Sequence, residues 1–271
     1  MTYTIEEIDL ERQHLLAQFL EPVSLNGLKT ISLPEDALIL DIGCGLGDTT
    51  LMLNDRFPNS NITGLDGDAS LIEAAIKEKK LLHANLDFVC ADALHLPFED
   101  NSFDFVFTRY CLHHLPSAID EIKEMKRVCK KGGIVFAHEP DINSIVSYPE
   151  CWAYAKHKEY LNLLCADALL GRKLISYFTQ LQLQKIAHHI QILLGDHNAV
   201  LKKFIALTGS AIGKALLQKK IVTKEEHAVF VGELERAQHD PDTIIIMAPS
   251  IAVWGTKADT LSSNYIYQHE R

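Results

Sequence analysis

The sequence has no run of basic residues, no Cys-x-x-Cys pair, no internal repeat and no low-complexity linker. Each absence excludes something. Without clustered Lys and Arg, nucleic acid is not the expected partner, because phosphate binding needs concentrated positive charge. The most apolar late stretch, 243–255, is too short for a membrane helix and is broken by Pro249. The N-terminus, Met1-Thr2-Tyr3-Thr4-Ile5-Glu6-Glu7, has neither the basic nor the apolar region of a secretory leader. The six cysteines (44, 90, 111, 129, 151 and 165) therefore read as reduced, buried thiols, and the expected location is cytoplasmic. No Cys or His spacing marks a metal site, and none is expected.

What is present is an ordinary globular composition. The 271 residues are 47% hydrophobic and 23% charged, enough for a full core and for one or two domains. The net charge of −10 is unevenly spread: residues 1–140 carry −11 and residues 141–271 carry +1.

Apolar runs and helical stretches alternate through the first half. An amphipathic helix is predicted over 5–20. Strands are predicted at 37–42, 61–66, 86–90, 103–108 and 134–139, with helices from Thr49, over 69–80 and over 117–130, the last stopped by Gly132-Gly133. This alternation implies a parallel sheet of right-handed β-α-β units. After Pro140 the pattern becomes mostly helical over 147–183 and 198–238, with a strand at 186–194 and a final strand region at 243–254. Thr223-Lys224-Glu225-Glu226 reads as a capped helix start.

The sharpest feature is Asp41-Ile42-Gly43-Cys44-Gly45-Leu46-Gly47-Asp48, which leaves the first strand and opens a helix. Glycines at such a crossover allow tight turns and close approach of a ligand. A dinucleotide site has G-x-G-x-x-G, but here Asp48 takes the place of the third glycine. Asp41 and Asp48 disfavour a pyrophosphate and suit a cationic ligand such as S-adenosylmethionine, which carries an ammonium and a sulfonium and no phosphate. Asp66 ends the second strand, where a carboxylate accepts from ribose hydroxyls. Asp92 follows the third strand, where it can accept from an adenine amino group.

These segments together resemble the class I S-adenosylmethionine-dependent methyltransferases, and most of all the subgroup typified by the ubiquinone/menaquinone biosynthesis C-methyltransferases. Residues 41–47 match the first motif, Leu65-Asp66 the acidic end of strand two, and Ala91-Asp92-Ala93 through Asp104 the adenine-side motif. Arg109-Tyr110-Cys111-Leu112-His113-His114-Leu115 matches the strand-four motif, and Lys131 replaces the proline of a proline-glycine-glycine turn. The resemblance covers about residues 36–140. It implies a Rossmann-like α/β fold, with a seven-strand, mostly parallel sheet whose last strand is antiparallel. It also implies methyl transfer to a small molecule, with S-adenosyl-L-methionine as cofactor. The residues expected around the cofactor are Asp41, Gly43, Cys44, Gly45, Gly47, Asp66, Gly67, Asp92, Ala93 and Arg109.

The expected organisation is a helical lid (1–35), a cofactor core (36–140), a mostly helical substrate cap (141–242, including the late core strand) and a final strand with tail (243–271). Methyl transfer needs a base only if the acceptor must lose a proton. Arg109, Tyr110, His113 and His114 follow strand four, and His138 and Glu139 follow strand five, where open α/β sheets bind ligands, so these residues are expected to face the cofactor or the acceptor. His113, His114, His138 and Glu139 are the ones for the base role. Arg109 can hold a carboxylate or make a surface ion pair. Trp152, Tyr154, Tyr160, Tyr177 and Phe178 either pack the cap core or line an apolar pocket. The near-neutral second half suits an uncharged, apolar or aromatic acceptor. A silent scaffold of the same fold and a nicotinamide-dependent oxidoreductase are the alternatives. Composition does not define an oligomeric state.

Overall fold

The computed structural model describes residues 7–80, 85–196 and 199–258. The predicted tail from 259 onward lies outside them.

Along the chain run α1 (Glu7–Leu28), β1 (Leu38–Ile42), α2 (Asp48–Arg56), β2 (Asn61–Asp66), α3 (Ala69–Ala75) and β3 (Leu86–Cys90). There follow β4 (Phe103–Arg109), α4 (Ala118–Val128), β5 (Cys129–Pro140), β6 (Val146–Tyr148), α5 (Trp152–Leu164) and α6 (Leu170–Gln180). The chain then forms β7 (Gln184–Gln191), β8 (Leu194–Gly195), α7 (Ala199–Gln218), α8 (Lys224–His239), β9 (Ile244–Ile246) and β10 (Ser250–Thr256).

The near-continuous apolar runs of β1 and β4 are what a strand buried on both faces requires. They form the centre of a seven-stranded sheet in the order β3-β2-β1-β4-β5-β10-β7. Strands β1 to β5 are parallel, and β10 runs antiparallel to both β5 and β7. The strand order reverses between β1 and β4, which opens a crevice at the carboxyl ends of those two strands. The fold is thus the expected Rossmann-like seven-strand sheet flanked by helices.

One apolar core joins the sheet to α4 and α6 through Ile122, Met125, Leu174 and Phe178; another joins its opposite face to α1 and α2 through Leu28 and Leu53. Phe107, Phe136 and Trp254 stack across β4, β5 and β10, at 4.9 and 5.5 Å between ring centroids. A third core unites α5, α7, α8 and a small sheet of order β6-β9-β8. Leu15, Leu16 and Phe19 of α1 pack on it, so one helix touches both halves.

Four local expectations are corrected. The helix predicted to Lys130 ends at Val128, and Cys129 already pairs with Phe103 as β5. Gly132-Gly133 lies inside that strand instead of stopping a helix. The single strand region 243–254 is two strands in two sheets, because Pro249 has no N–H to continue a ladder. Helix α6 packs on the main sheet, since Leu170, Leu174 and Phe178 at i, i+4, i+8 form a stripe complementary to it. Of the cysteines, all free, only Cys44 and Cys129 are fully buried, and Cys90 is exposed. Of the aromatic set, Tyr154 and Tyr160 fill the cap core and Phe178 the main core. Among the described residues, no helix is long and apolar enough to cross a membrane.

Glu121 on the buried face of α4 is fully enclosed, and among the described residues neither carboxylate oxygen has a hydrogen-bond partner. Burial, reinforced by Glu139, raises its pKa to about 8. The folded state therefore holds a proton that the unfolded chain releases above its ordinary value of 4.5. Stability from this group is present below about pH 4.5 and is lost as pH rises toward 8. Glu121→Gln should remove a slope of up to about 1.4 kcal/mol per pH unit in that window. Urea unfolding of both proteins from pH 4 to 9 tests this, and parallel curves would contradict it.

Candidate functional site

The glycine turn sits where the strand order reverses. The backbone N–H groups of Gly43 and Cys44 both donate to the carbonyl of Leu65, at 2.7 and 3.0 Å, tying the turn to the end of β2. Gly43 has a φ of +73°, and a Cβ there would lie 2.6 Å from Cys111 Sγ, so only glycine fits. Asp66 accepts from the Gly45 N–H at 3.0 Å and, through its other oxygen, from the Asp68 N–H at 2.9 Å. The end of β2 and the turn are thereby one unit.

A cleft of about 590 Å³ opens above this unit. Its walls include Gly43, Cys44, Gly45, Asp66, Gly67, Asp92, Ala93 and Arg109, eight of the ten residues expected around a cofactor. Asp92 is exposed, and its carboxylate bonds to His95 and to the Leu94 N–H, which hold its pKa below the ordinary value. The Arg109 guanidinium is buried at the base of α2 and donates to Thr49 Oγ1 at 2.6 Å. Burial lowers its pKa, while Asp41 and Asp48 oppose that shift.

Asp41 and Gly47 do not line the cleft. Asp41 turns inward beneath it and accepts from Thr50 Oγ1 at 2.7 Å; among the described residues its Oδ1 has no hydrogen-bond partner. Burial raises its pKa to about 7. Gly47 caps α2 in a left-handed conformation. The acids that do face the cleft are Asp48, Asp66, Asp68 and Asp92. The electrostatic argument against a pyrophosphate therefore stands on a partly different set from the one expected.

The four residues nominated as bases separate into two pairs. His138 is fully enclosed between Ser24 and Ser250, at 3.1 and 2.5 Å, and lines neither cavity. Burial drives its pKa well down, so it is a neutral hydrogen-bond bridge with no access to a reactant. Glu139 is equally buried. Its Oε1 accepts from the N–H groups of Cys111 and Leu112, both at 2.9 Å, and its Oε2 accepts from His113 Nδ1 at 2.6 Å. Glu139 therefore fixes the tautomer of His113 and leaves Nε2 as the free ring nitrogen.

His113 and His114 sit on one short 3-10 turn, Leu112–His114, with ring centroids 3.9 Å apart. The tight turn makes the rings of these adjacent residues converge. Cys165 from the end of α5 joins them, with ligand atoms of all three within 4.8 Å of one another. No spacing in the sequence marks this trio, since Cys165 arrives only through backbone N–H donation from Ala166 and Asp167 to the His113 carbonyl. The trio is the group of His, Cys and acidic side chains among the described residues that approaches metal-ligand separations. The His114 ring keeps contact with solvent, but crowding by protein and the neighbouring His113 push its pKa to about 3.

A second cavity, of about 160 Å³, lies under the cap. Arg12, Leu16, Leu20, Tyr110 and His114 line both cavities, and His113 lines the second. Tyr110 takes a left-handed φ of 54°, unusual for a bulky side chain, and its hydroxyl pairs with Ser250 Oγ at 3.1 Å. Tyr110 was expected to face the cofactor or the acceptor from its place after strand four, and α1 was expected as a lid. The individual α1 positions Arg12, Leu16 and Leu20 did not stand out, because they carry only a generic amphipathic pattern.

Comparison with known proteins bears on the first half of the chain. Residues 40–137 match a protein-family model described as a methyltransferase domain. A demethylmenaquinone methyltransferase of Staphylococcus aureus is 35% identical over 127 residues, which are 46% of this chain and 52% of that protein. The chain thus aligns with about half the length of the curated relatives it matches. Among solved structures, the YcgJ protein of Bacillus subtilis is 20% identical, with a TM-score of 0.58 over 90% of this chain and 100% of that one. The phosphoethanolamine N-methyltransferase 2 of Haemonchus contortus, solved with phosphomonomethylethanolamine and S-adenosylhomocysteine, is 18% identical. Its TM-score is 0.56 over 89% of this chain and 53% of that one. At these identities the structural likeness speaks to the fold.

Removing the Glu139 carboxylate leaves two N–H groups and one imidazole without their acceptor. Glu139→Ala should lower the unfolding free energy by at least about 2 kcal/mol. Glu139→Gln should cost less, because an amide oxygen still accepts from both N–H groups. Equal losses in urea titrations would show that the His113 contact, and not the backbone pair, carries the effect.

Proposed function

We propose that the chain is an S-adenosylmethionine-dependent methyltransferase acting on a small, apolar or aromatic acceptor, in keeping with the match of residues 40–137 to a methyltransferase-domain model. The observation that carries this reading is the pair of adjoining cavities. One is a polar, acid-rimmed cleft on the glycine turn; the other is an apolar pocket under the cap, and Tyr110 and His114 stand between them.

The cleft fits the cofactor on its own terms. Gly43 leaves backbone bare where a side chain would collide with Cys111. Asp66 would accept from ribose hydroxyls, using lone pairs beyond those that meet Gly45 and Asp68. Asp92 and Ala93 would border the adenine, and Arg109 beside the α2 N-terminus would face the carboxylate end. When bound, S-adenosylmethionine supplies an electrophilic methyl group on a sulfonium.

The protein's own contribution is position, exclusion of water and, for a protonated acceptor, a base. His113 fills that last role best, since Glu139 fixes its tautomer, presents Nε2 and stabilises the imidazolium that forms on proton uptake. His114, with its pKa near 3, remains neutral and would act as a wall or hydrogen-bond partner. His138 and Glu139 are excluded from direct contact by their burial.

Isothermal titration should show S-adenosylmethionine and S-adenosylhomocysteine binding, and Asp66→Ala should weaken both by about 1–3 kcal/mol. No heat of binding to the folded protein would refute the reading. With tritiated cofactor and a metabolite extract, His113→Ala should cut methyl transfer by about 10²- to 10⁴-fold while cofactor affinity is retained. Undiminished transfer would remove His113 as the base.

A further inference from the structure

The cap cavity is apolar over most of its wall, with Leu16, Phe19, Leu161, Leu201, Phe204 and Ile212 among its lining. Besides Arg12, Tyr110, His113 and His114 at its mouth toward the cleft, the polar side chains in its wall are His157 of α5 and Thr208 of α7. Both are anomalous. His157 is 2% exposed, and among the described residues its Nδ1 has no hydrogen-bond partner. Thr208 Oγ1 is buried and equally unpartnered. A helical threonine ordinarily satisfies its hydroxyl on the carbonyl one turn back, and this one does not. A buried polar atom left in this state forfeits its hydration with nothing in return, so the pair calls for an occupant.

The surroundings keep the pair in place. A Cβ at Gly209 would sit 3.1 Å from His157 Nδ1 and 2.1 Å from a Leu234 methyl, so the bare glycine lets α5, α7 and α8 close around the imidazole. No charged group accounts for the histidine: burial alone lowers its pKa to about 4. It is therefore a neutral ring with one donor and one acceptor nitrogen. Thr208 adds a hydroxyl that can do either.

We propose that His157 and Thr208 form the polar recognition point of the acceptor pocket, binding the hydroxyl or carbonyl oxygen of a ring compound whose remaining surface meets the apolar wall. A cavity of about 160 Å³ is the size of one six-membered ring; an engineered cavity of about 150 Å³ holds benzene. The oxygen is held on the cap side, because His157 and Thr208 line this cavity and not the cofactor cleft. The ring's other end would face Tyr110, His113 and His114. That the occupant is the methyl acceptor rests on the methyltransferase reading; that the cavity takes an oxygenated ring does not.

The experiment compares phenol with toluene, which replaces the hydroxyl by a methyl of similar size, on the full chain saturated with S-adenosylhomocysteine. Titration followed by ligand-observed NMR should show phenol bound about tenfold or more tighter than toluene, as one or two added hydrogen bonds in a buried site require. The isosteric Thr208→Val and the ring-conserving His157→Phe should each reduce phenol affinity about tenfold, leave toluene binding equal or stronger, and leave S-adenosylhomocysteine affinity unchanged. Thr208→Val should also melt no lower than the parent without ligand, because it removes an unpaired buried hydroxyl. Equal affinity for the two probes, binding of neither, or phenol affinity untouched by both substitutions would each overturn the proposal. Should the parent fail to bind S-adenosylhomocysteine yet prefer phenol in the substitution-sensitive way, the methyltransferase reading fails and the oxygen-binding pocket stands.

Discussion

A buried carboxylate at the end of β5 holds the two halves of this molecule in register. Glu139 accepts from two successive N–H groups of the turn that follows β4 and from the ring of His113. The carbonyl of that same His113 accepts from Ala166 and Asp167, where the chain leaves the first cap helix. One acidic side chain thus sets the turn, the turn sets a histidine, and the histidine backbone anchors the cap. Inside a region of low dielectric, such charge-assisted bonds are short and directional, and a chain of them fixes geometry that apolar packing would leave loose.

The consequence is a site built on a boundary. The sheet offers a cleft where its strand order reverses, and the cap closes an apolar chamber against the same turn. Tyr110, in its strained backbone conformation, and His114 form the partition. The helix α1 completes both walls through Arg12, Leu16 and Leu20. In the proposed methyl transfer, donor and acceptor would meet across that partition, and holding them in position is most of what a displacement at a sulfonium asks of a protein. The acids of the first half serve this arrangement unequally: Asp66 and Asp92 face the cleft, while Asp41 is folded under it against Thr50.

Much of this was legible in one dimension because its causes are local. A strand buried on both faces must be apolar along its length, a crossover that brings backbone to a ligand must have glycine, and a carboxylate at a strand end is placed by the strand itself. The turn at 43–47, Asp66 and Asp92 were readable for those reasons. His138 and Glu139 were readable as strand-end residues but not by role. Whether a polar side chain at a strand end faces a reactant or a neighbouring serine depends on elements far away in sequence, here on Ser24 of α1 and Ser250 of β10. Pro249 was visible, yet its effect, sending β9 and β10 into separate sheets, needed the second sheet to be seen.

The sequence by itself determined the α/β alternation, the cofactor-side turn and its flanking acids, since each follows from spacing within a few residues. Only the tertiary structure decided which side chains come together: His113 with Glu139, His114 with Cys165, and His157 and Thr208 in the wall of one cavity. The physical reason is that backbone periodicity is a short-range property. The desolvation and hydrogen-bond pairing that give a polar residue its role depend on every element packed around it.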